Sequence, residues 1–261
     1  MMNVFRLLCL EAGDIIMKIY ESNNFGIDLK SDNSPVTLAD RAADEHISNG
    51  IRNEFGDIQL ITEEQTLTHC KASDSFIIVD PLDGTKEFIN RNGDFTINIA
   101  YVENGVPILG VVYAPAKKRL FYTDIKGGSV EEEPPYNFLK PGKVRQLNLR
   151  APDNNKLIMV ASKSHRNNDT NNYISQYKVS KLKGAGSSLK FCLLAAGEAD
   201  IYPRLGRTME WDTAAGHAVL RNAGGHVVKF GDHQPLIYGK PSYENPFFIA
   251  YIPGVKLKGS K

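Results

Sequence analysis

Phe76-Ile77-Ile78-Val79 runs directly into Asp80-Pro81-Leu82-Asp83-Gly84-Thr85, an apolar strand pattern that ends on two acids three residues apart. A strand delivering two carboxylates through a proline turn gathers oxygen ligands at a sheet edge, and hard cations such as magnesium take such ligands. Gly84-Thr85 then opens a helix expected over 86–92, whose first free N–H groups suit a phosphate. Glycine at 84 allows close backbone approach to that anion. Alone, the motif reads more readily as a helix cap at Asp83 and a turn at Asp80 than as a metal site. Two further acids change the reading. Glu63-Glu64 follows a strand expected over 58–62, and Asp212 opens a helix expected over 211–223. Singly, Asp212 is a helix-terminal acid, Glu64 a solvated neighbour and Thr37-x-x-Asp40 a capping box. Together they form a carboxylate cluster fit for metal.

Outward from the motif, an amphipathic helix is expected near the N-terminus, with Leu8, Ala12, Ile15, Ile16 and Ile19 on one face. A second, over 39–55, carries Ala43, Ile47, Ile51 and Phe55. Strands over 96–103, 106–114 and 119–123 are joined by short turns and suggest an antiparallel meander. Glu131-Glu132-Glu133-Pro134-Pro135 reads as a solvated loop, and a domain boundary is placed near 145. The first domain, 1–145, would carry most metal ligands, and the second, 146–261, substrate recognition and Asp212. Beyond the boundary, strands (157–162, 179–182, 199–203, 225–230, 247–251) alternate with helices (169–176, 187–197, 211–223). That alternation predicts an α/β layer of largely parallel strands.

With 42% hydrophobic and 23% charged residues and a formal net charge of +1, the chain has the composition of a globular protein. It shows no global charge for a nucleic-acid polymer or a membrane surface. Cys9, Cys70 and Cys192 lack any CxxC spacing, so neither a disulfide framework nor a zinc site is indicated. Arg6, Glu11 and Asp14 interrupt the apolar N-terminus, which argues against a signal peptide or a membrane span. A cytoplasmic protein is expected, with peripheral attachment to the inner face of the membrane left open.

The paired motifs Asp80-Pro81-Leu82-Asp83-Gly84-Thr85 and Trp211-Asp212-x-Ala214-Ala215-Gly216 resemble the signatures of the inositol monophosphatase superfamily. Ser34-Pro35-Val36-Thr37-x-Ala39-Asp40 and Glu63-Glu64 match it in the same order. The resemblance implies an αβαβα sandwich of the inositol monophosphatase/fructose-1,6-bisphosphatase type and a magnesium-dependent phosphatase with two or three ions. Glu63, Asp80, Asp83 and Asp212 would bind metal through side chains and Leu82 through its carbonyl oxygen. Asp40 and Thr85 would form a hydrogen-bonded pair orienting the attacking water, with Glu63 also in the catalytic set. The Gly84 and Thr85 amides would hold the phosphate oxygens. Competition by lithium at a magnesium site is a further implication.

The second half narrows the substrate. Gly186 to Gly197, Ala199-Asp200-Ile201-Tyr202-Pro203-Arg204 and Ser162-Lys163-Ser164-His165 resemble the 3′(2′),5′-bisphosphate nucleotidase branch. That branch would cleave 3′-phosphoadenosine 5′-phosphate to AMP, within sulfur metabolism. Ser187 and Lys190, at i and i+3 near a helix start, with Arg204 at a strand end, would receive the 5′-phosphate. His165 would lie against the adenine. The plainer readings are a Ser187 N-cap, a solvated Lys190 and a histidine without a ligand. An inositol-1-monophosphatase or a broad sugar-phosphate phosphatase is the alternative, and it needs no second anion site. The segment Gln65 to Cys70 carries no assignable pattern, His69 and Cys70 are not assigned as ligands, and the oligomeric state, a homodimer included, is open.

Overall fold

The computed structural model describes residues 1–22, 25–30, 35–164 and 166–259. Helix α1 (Met2–Glu21) is followed by a short antiparallel pair, β1 (Asp28–Leu29) and β2 (Pro35–Val36), and by α2 (Leu38–Glu54). Then come β3 (Gln59–Thr62), β4 (Ser75–Asp83), α3 (Thr85–Ile89), β5 (Thr96–Glu103), β6 (Val106–Ala114), β7 (Arg119–Thr123), β8 (Ser129–Glu132) and β9 (Val144–Gln146). Strands β3 to β9 form one seven-stranded sheet in chain order. The meander expected from 96 onward is present, and β3 joins β4 in parallel. The remaining elements are β10 (Leu157–Ser162), α4 (Asn168–Ile174), β11 (Val179–Ala185), α5 (Leu189–Ala195), β12 (Ile201–Arg204), α6 (Ala214–Asn222), β13 (His226–Lys229) and β14 (Phe248–Tyr251).

The unbroken apolar run of β4 is explained by cover on both faces. Ile77 and Val79 pack with α1 and α2, whereas Phe76 and Ile78 join the core shared with α5, α6 and the second sheet. The result is the αβαβα stack: α1/α2, the seven-stranded sheet, α5/α6, the five-stranded sheet, and α4 outside it. Helix α6 lies hard against β6. A Cβ built at Gly110 would stand 2.4 Å from the Ala215 carbonyl oxygen, so only glycine permits that approach. This packing matters because the turn carrying Asp212 immediately precedes α6.

Two expectations are corrected. The second sheet, ordered β11-β10-β12-β14-β13, is mixed rather than largely parallel. β10 pairs in parallel with β11 and β12, while β14 runs antiparallel to both β12 and β13. No crossover helix stands between β13 and β14, so the chain returns in the opposite direction. The acidic stretch at 131–133 is not simply a solvated loop, because Glu131 and Glu132 end strand β8. Glu132 is fully buried and takes two 2.6 Å hydrogen bonds from Arg6 of α1, together with the Gly142 N–H and the Tyr122 hydroxyl. Arg6, which sequence reading treats only as a break in an apolar run, is the buried partner that makes this acid tolerable. Arg6→Ala is therefore expected to destabilise the fold by about 3–5 kcal/mol, since it strands a buried carboxylate. Equilibrium urea unfolding reads this directly; an effect below about 1 kcal/mol would refute the role.

Candidate active site

Asp80 and Asp83 converge because β4 is irregular where they stand. Asp80 pairs with Asn98 and Asp83 with Thr96, so three steps on β4 match two on β5. In a regular strand residues i and i+3 face opposite ways; one extra residue puts them on the same face. The feature expected as a proline turn after the strand is thus a bulge within it. Gly84 follows with φ +95°, a left-handed conformation that L side chains resist. It caps the short helix Thr85–Ile89, which ends three residues before the expected 92.

Oxygen atoms of Glu63, Asp80 and Asp212 lie within 4.8 Å of one another. Asp83 is outside that trio but lines the same cavity of about 930 Å³ as Glu63 and Asp212. Its Oδ2 accepts the Ser188 N–H at 2.7 Å and an Asn98 amide N–H at 3.3 Å. Asp80 is 1% exposed and accepts the Leu82 N–H at 3.1 Å. Asp212 stands in the turn before α6, not in its first turn, and its Oδ2 accepts the Met209 N–H at 2.8 Å. Burial, then mutual repulsion with Glu63, Asp83 and Asp212, pushes Asp80 well above the carboxylate range. Asp212 moves the same way for the same reasons. Burial lifts Asp83 to about 6, against the pull of Lys190 and the Ser188 N–H. Buried acids in such proximity call for cations, and an all-oxygen donor set suits a hard one.

Asp40 closes the capping box and pairs with Thr85 at the same time. Its Oδ2 accepts the Thr37 N–H at 2.7 Å and the Thr37 hydroxyl at 2.6 Å, closing the capping box of α2. Its Oδ1 accepts the Thr85 hydroxyl at 3.0 Å. Burial raises the Asp40 pKa against these hydrogen bonds.

Gly84, Thr85, Ser187, Lys190 and Arg204 all line the cavity. Ser187 is not an N-cap: α5 starts at Leu189, and Ser187 precedes it with φ +46° and a buried, unpartnered hydroxyl. Lys190 is not a solvated lysine. It is 4% exposed, and its ammonium donates to the Ser187 and Ala185 carbonyls at 2.5 and 3.4 Å. Burial, with Arg204 nearby, lowers it to about 8, against the attraction of Asp83. Arg204 donates to the Arg207 carbonyl, while its Nε is buried without a partner. His165 and Ser34 lie outside the described residues.

Two residues around the site carry no sequence signal of their own. Lys30 bridges Glu63 and Glu64 at 2.7 and 2.6 Å. Ser188 gives its N–H to Asp83 and its hydroxyl to the Asp212 carbonyl at 2.5 Å. These partners are remote in sequence, so no local pattern exposes them.

Residues 1–246 match the inositol monophosphatase family. The 3′(2′),5′-bisphosphate nucleotidase CysQ of Buchnera aphidicola is 43% identical over 248 residues, 93% of this chain and 90% of the relative. CysQ of Escherichia coli strain K12 is 42% identical over 252 residues, 94% of this chain and 97% of that protein. Among solved structures, CysQ from Bacteroides thetaiotaomicron matches with a TM-score of 0.80 at 40% identity, covering 96% and 97% of the two chains. An IMPase from Thermotoga maritima matches at 0.77 and 24% identity, over 96% and 91%, which speaks to the fold alone. With its five layers and its carboxylate cluster in place, the chain belongs to the inositol monophosphatase family.

Proposed function

We propose that this phosphatase is a magnesium-dependent 3′(2′),5′-bisphosphate nucleotidase that converts 3′-phosphoadenosine 5′-phosphate to AMP and phosphate. The observation that carries the reading is one cavity lined both by members of the carboxylate cluster and by two cations, the buried Lys190 and the half-buried Arg204. The identity of more than 40% to the CysQ nucleotidases over nearly the whole chain supports the substrate. Glu63, Asp80, Asp83, Asp212 and the Leu82 carbonyl would hold the cations, two or more magnesium ions by charge. When bound, these would supply an acidified water and charge neutralisation at the ester.

The chain's own residues supply the rest. Thr85 donates its hydroxyl proton to Asp40, which leaves oxygen lone pairs on Thr85 to accept a proton from water in the cavity. Asp40, held at its other oxygen by Thr37, is the fixed base behind that hydroxyl. Its burial makes it more basic than an exposed aspartate. The Gly84 and Thr85 amides face the phosphate to be cleaved. Arg204, with a spare Nε, and Lys190, with one N–H beyond its two carbonyl contacts, would receive the phosphate that is kept.

Arg204→Ala is expected to raise KM for the bisphosphate about tenfold or more, as loss of a charge-assisted contact predicts. The KM for a simple phosphomonoester would change less than about threefold. Lys190→Ala is a broader lesion, because its ammonium also supports the strained Ser187 backbone. Steady-state kinetics on both esters, with AMP identified as product, tests the reading; equal KM changes for the two esters under Arg204→Ala would sink the second anion site.

A further inference from the structure

Glu63 and Asp212 come from opposite halves of the chain, yet their carboxylates belong to one cluster. The segment after Glu63-Glu64 folds back onto β3: the Thr68 hydroxyl accepts the Thr62 N–H at 3.1 Å, and Gln65 donates to Asp44 at 2.6 Å. His69 ends this turn. Its Nε2 lies 2.8 Å from the carbonyl oxygen of Thr62, the residue before Glu63. A carbonyl only accepts, so Nε2 carries the proton. On its ring face His69 meets Trp211, the residue before Asp212. The His69 and Trp211 rings stack with centroids 4.9 Å apart and planes at 22°. Tyr243 closes the group: its ring leans on both, its hydroxyl donates to the Cys70 carbonyl, and its carbonyl accepts the Glu210 N–H at 2.7 Å.

We propose that His69 is a positioning residue that locks the Glu63 segment to the Asp212 segment by stacking on Trp211. The inference rests on the reading of the carboxylate cluster as a metal centre. It gives a task to the turn that follows Glu63-Glu64. One ring holds the backbone next to one ligand and packs on the residue next to another, so the two carboxylates keep their spacing before any ion arrives. Groups supporting metal ligands from behind typically change affinity 10–100-fold when removed.

The test compares wild type, His69→Ala and His69→Phe. Three quantities are read: magnesium required for half-maximal phosphate release, the Mn²⁺ dissociation constant by calorimetry without substrate, and the emission of Trp211, the sole tryptophan. His69→Ala is expected to raise both metal constants about tenfold or more and to alter Trp211 emission. His69→Phe, which keeps a ring against Trp211 but loses the N–H to the Thr62 carbonyl, is expected to fall between wild type and His69→Ala in both constants. Wild-type metal constants in His69→Ala would overturn the proposal, as would a His69→Phe variant as impaired as His69→Ala. Should His69→Ala fail to fold, His69→Asn, which keeps a donor but no ring, takes its place with the same expected loss. Wild-type protein that binds no Mn²⁺ would refute the metal centre itself; wild-type binding unchanged in the variants would refute only the role of His69.

Discussion

Asp83→Asn is expected to lower kcat/KM by at least about 1,000-fold, roughly 4 kcal/mol of barrier. One Asp83 oxygen is occupied by the Ser188 and Asn98 N–H groups, so the other is the one presented to the cavity. The amide keeps the shape and can still accept from Ser188, but it removes a charge from the proposed metal site. A second readout separates this from structural damage. Without metal, the Asp83 carboxyl titrates near 6, above its ordinary value. The metal-free native state therefore holds more protons than the unfolded chain between about pH 4 and 6, and stability falls as pH rises through that window. Neutralising the position removes that penalty. The metal-free variant should melt no lower than wild type at neutral pH while being nearly inactive. Loss of activity accompanied by a lower melting temperature would instead mark Asp83 as structural.

Thr85→Val should reduce kcat by about 100-fold or more, the usual contribution of a positioned proton acceptor. Valine conserves volume and leaves the Thr85 amide in place, so the proposed backbone contact to the phosphate is kept. What disappears is the hydroxyl between the cavity and Asp40. KM and the magnesium requirement are expected to stay within about threefold of wild type, because neither Thr85 Oγ nor Asp40 belongs to the three-carboxylate cluster. A variant with wild-type kcat would remove Thr85 from the reaction. One whose magnesium requirement rises in step with the lost rate would place it among the groups that organise the metals.

Much of the site was legible because its residues sit in short local patterns. Asp80 to Thr85 is a strand end, an acid pair and a glycine in one run, and Trp211-Asp212 precedes a small-residue helix. The local geometry is less legible. A register shift of one residue against β5, invisible in β4 alone, is what turns both acids to the same face. The helix starts were set too early at both Ser187 and Trp211, where strained or turn backbone leads into a shorter helix. The burial of Glu132 is not legible locally because its partner Arg6 lies 126 residues away. Lys30, His69 and Ser188 escaped for the same reason. A residue whose role is set by a neighbour distant in sequence carries no signature where it stands. The mixed second sheet likewise depends on how the chain returns after β13, which periodicity within β13 and β14 does not encode.

The central claim is that the cavity cleaves one phosphate while holding another. The most direct measurement compares kcat/KM for 3′-phosphoadenosine 5′-phosphate, inositol 1-phosphate and fructose 1,6-bisphosphate with magnesium present. A preference of at least about tenfold for the nucleotide bisphosphate over inositol 1-phosphate, with AMP as product, is predicted from one extra charge-assisted phosphate contact. A higher kcat/KM for inositol 1-phosphate would contradict the account.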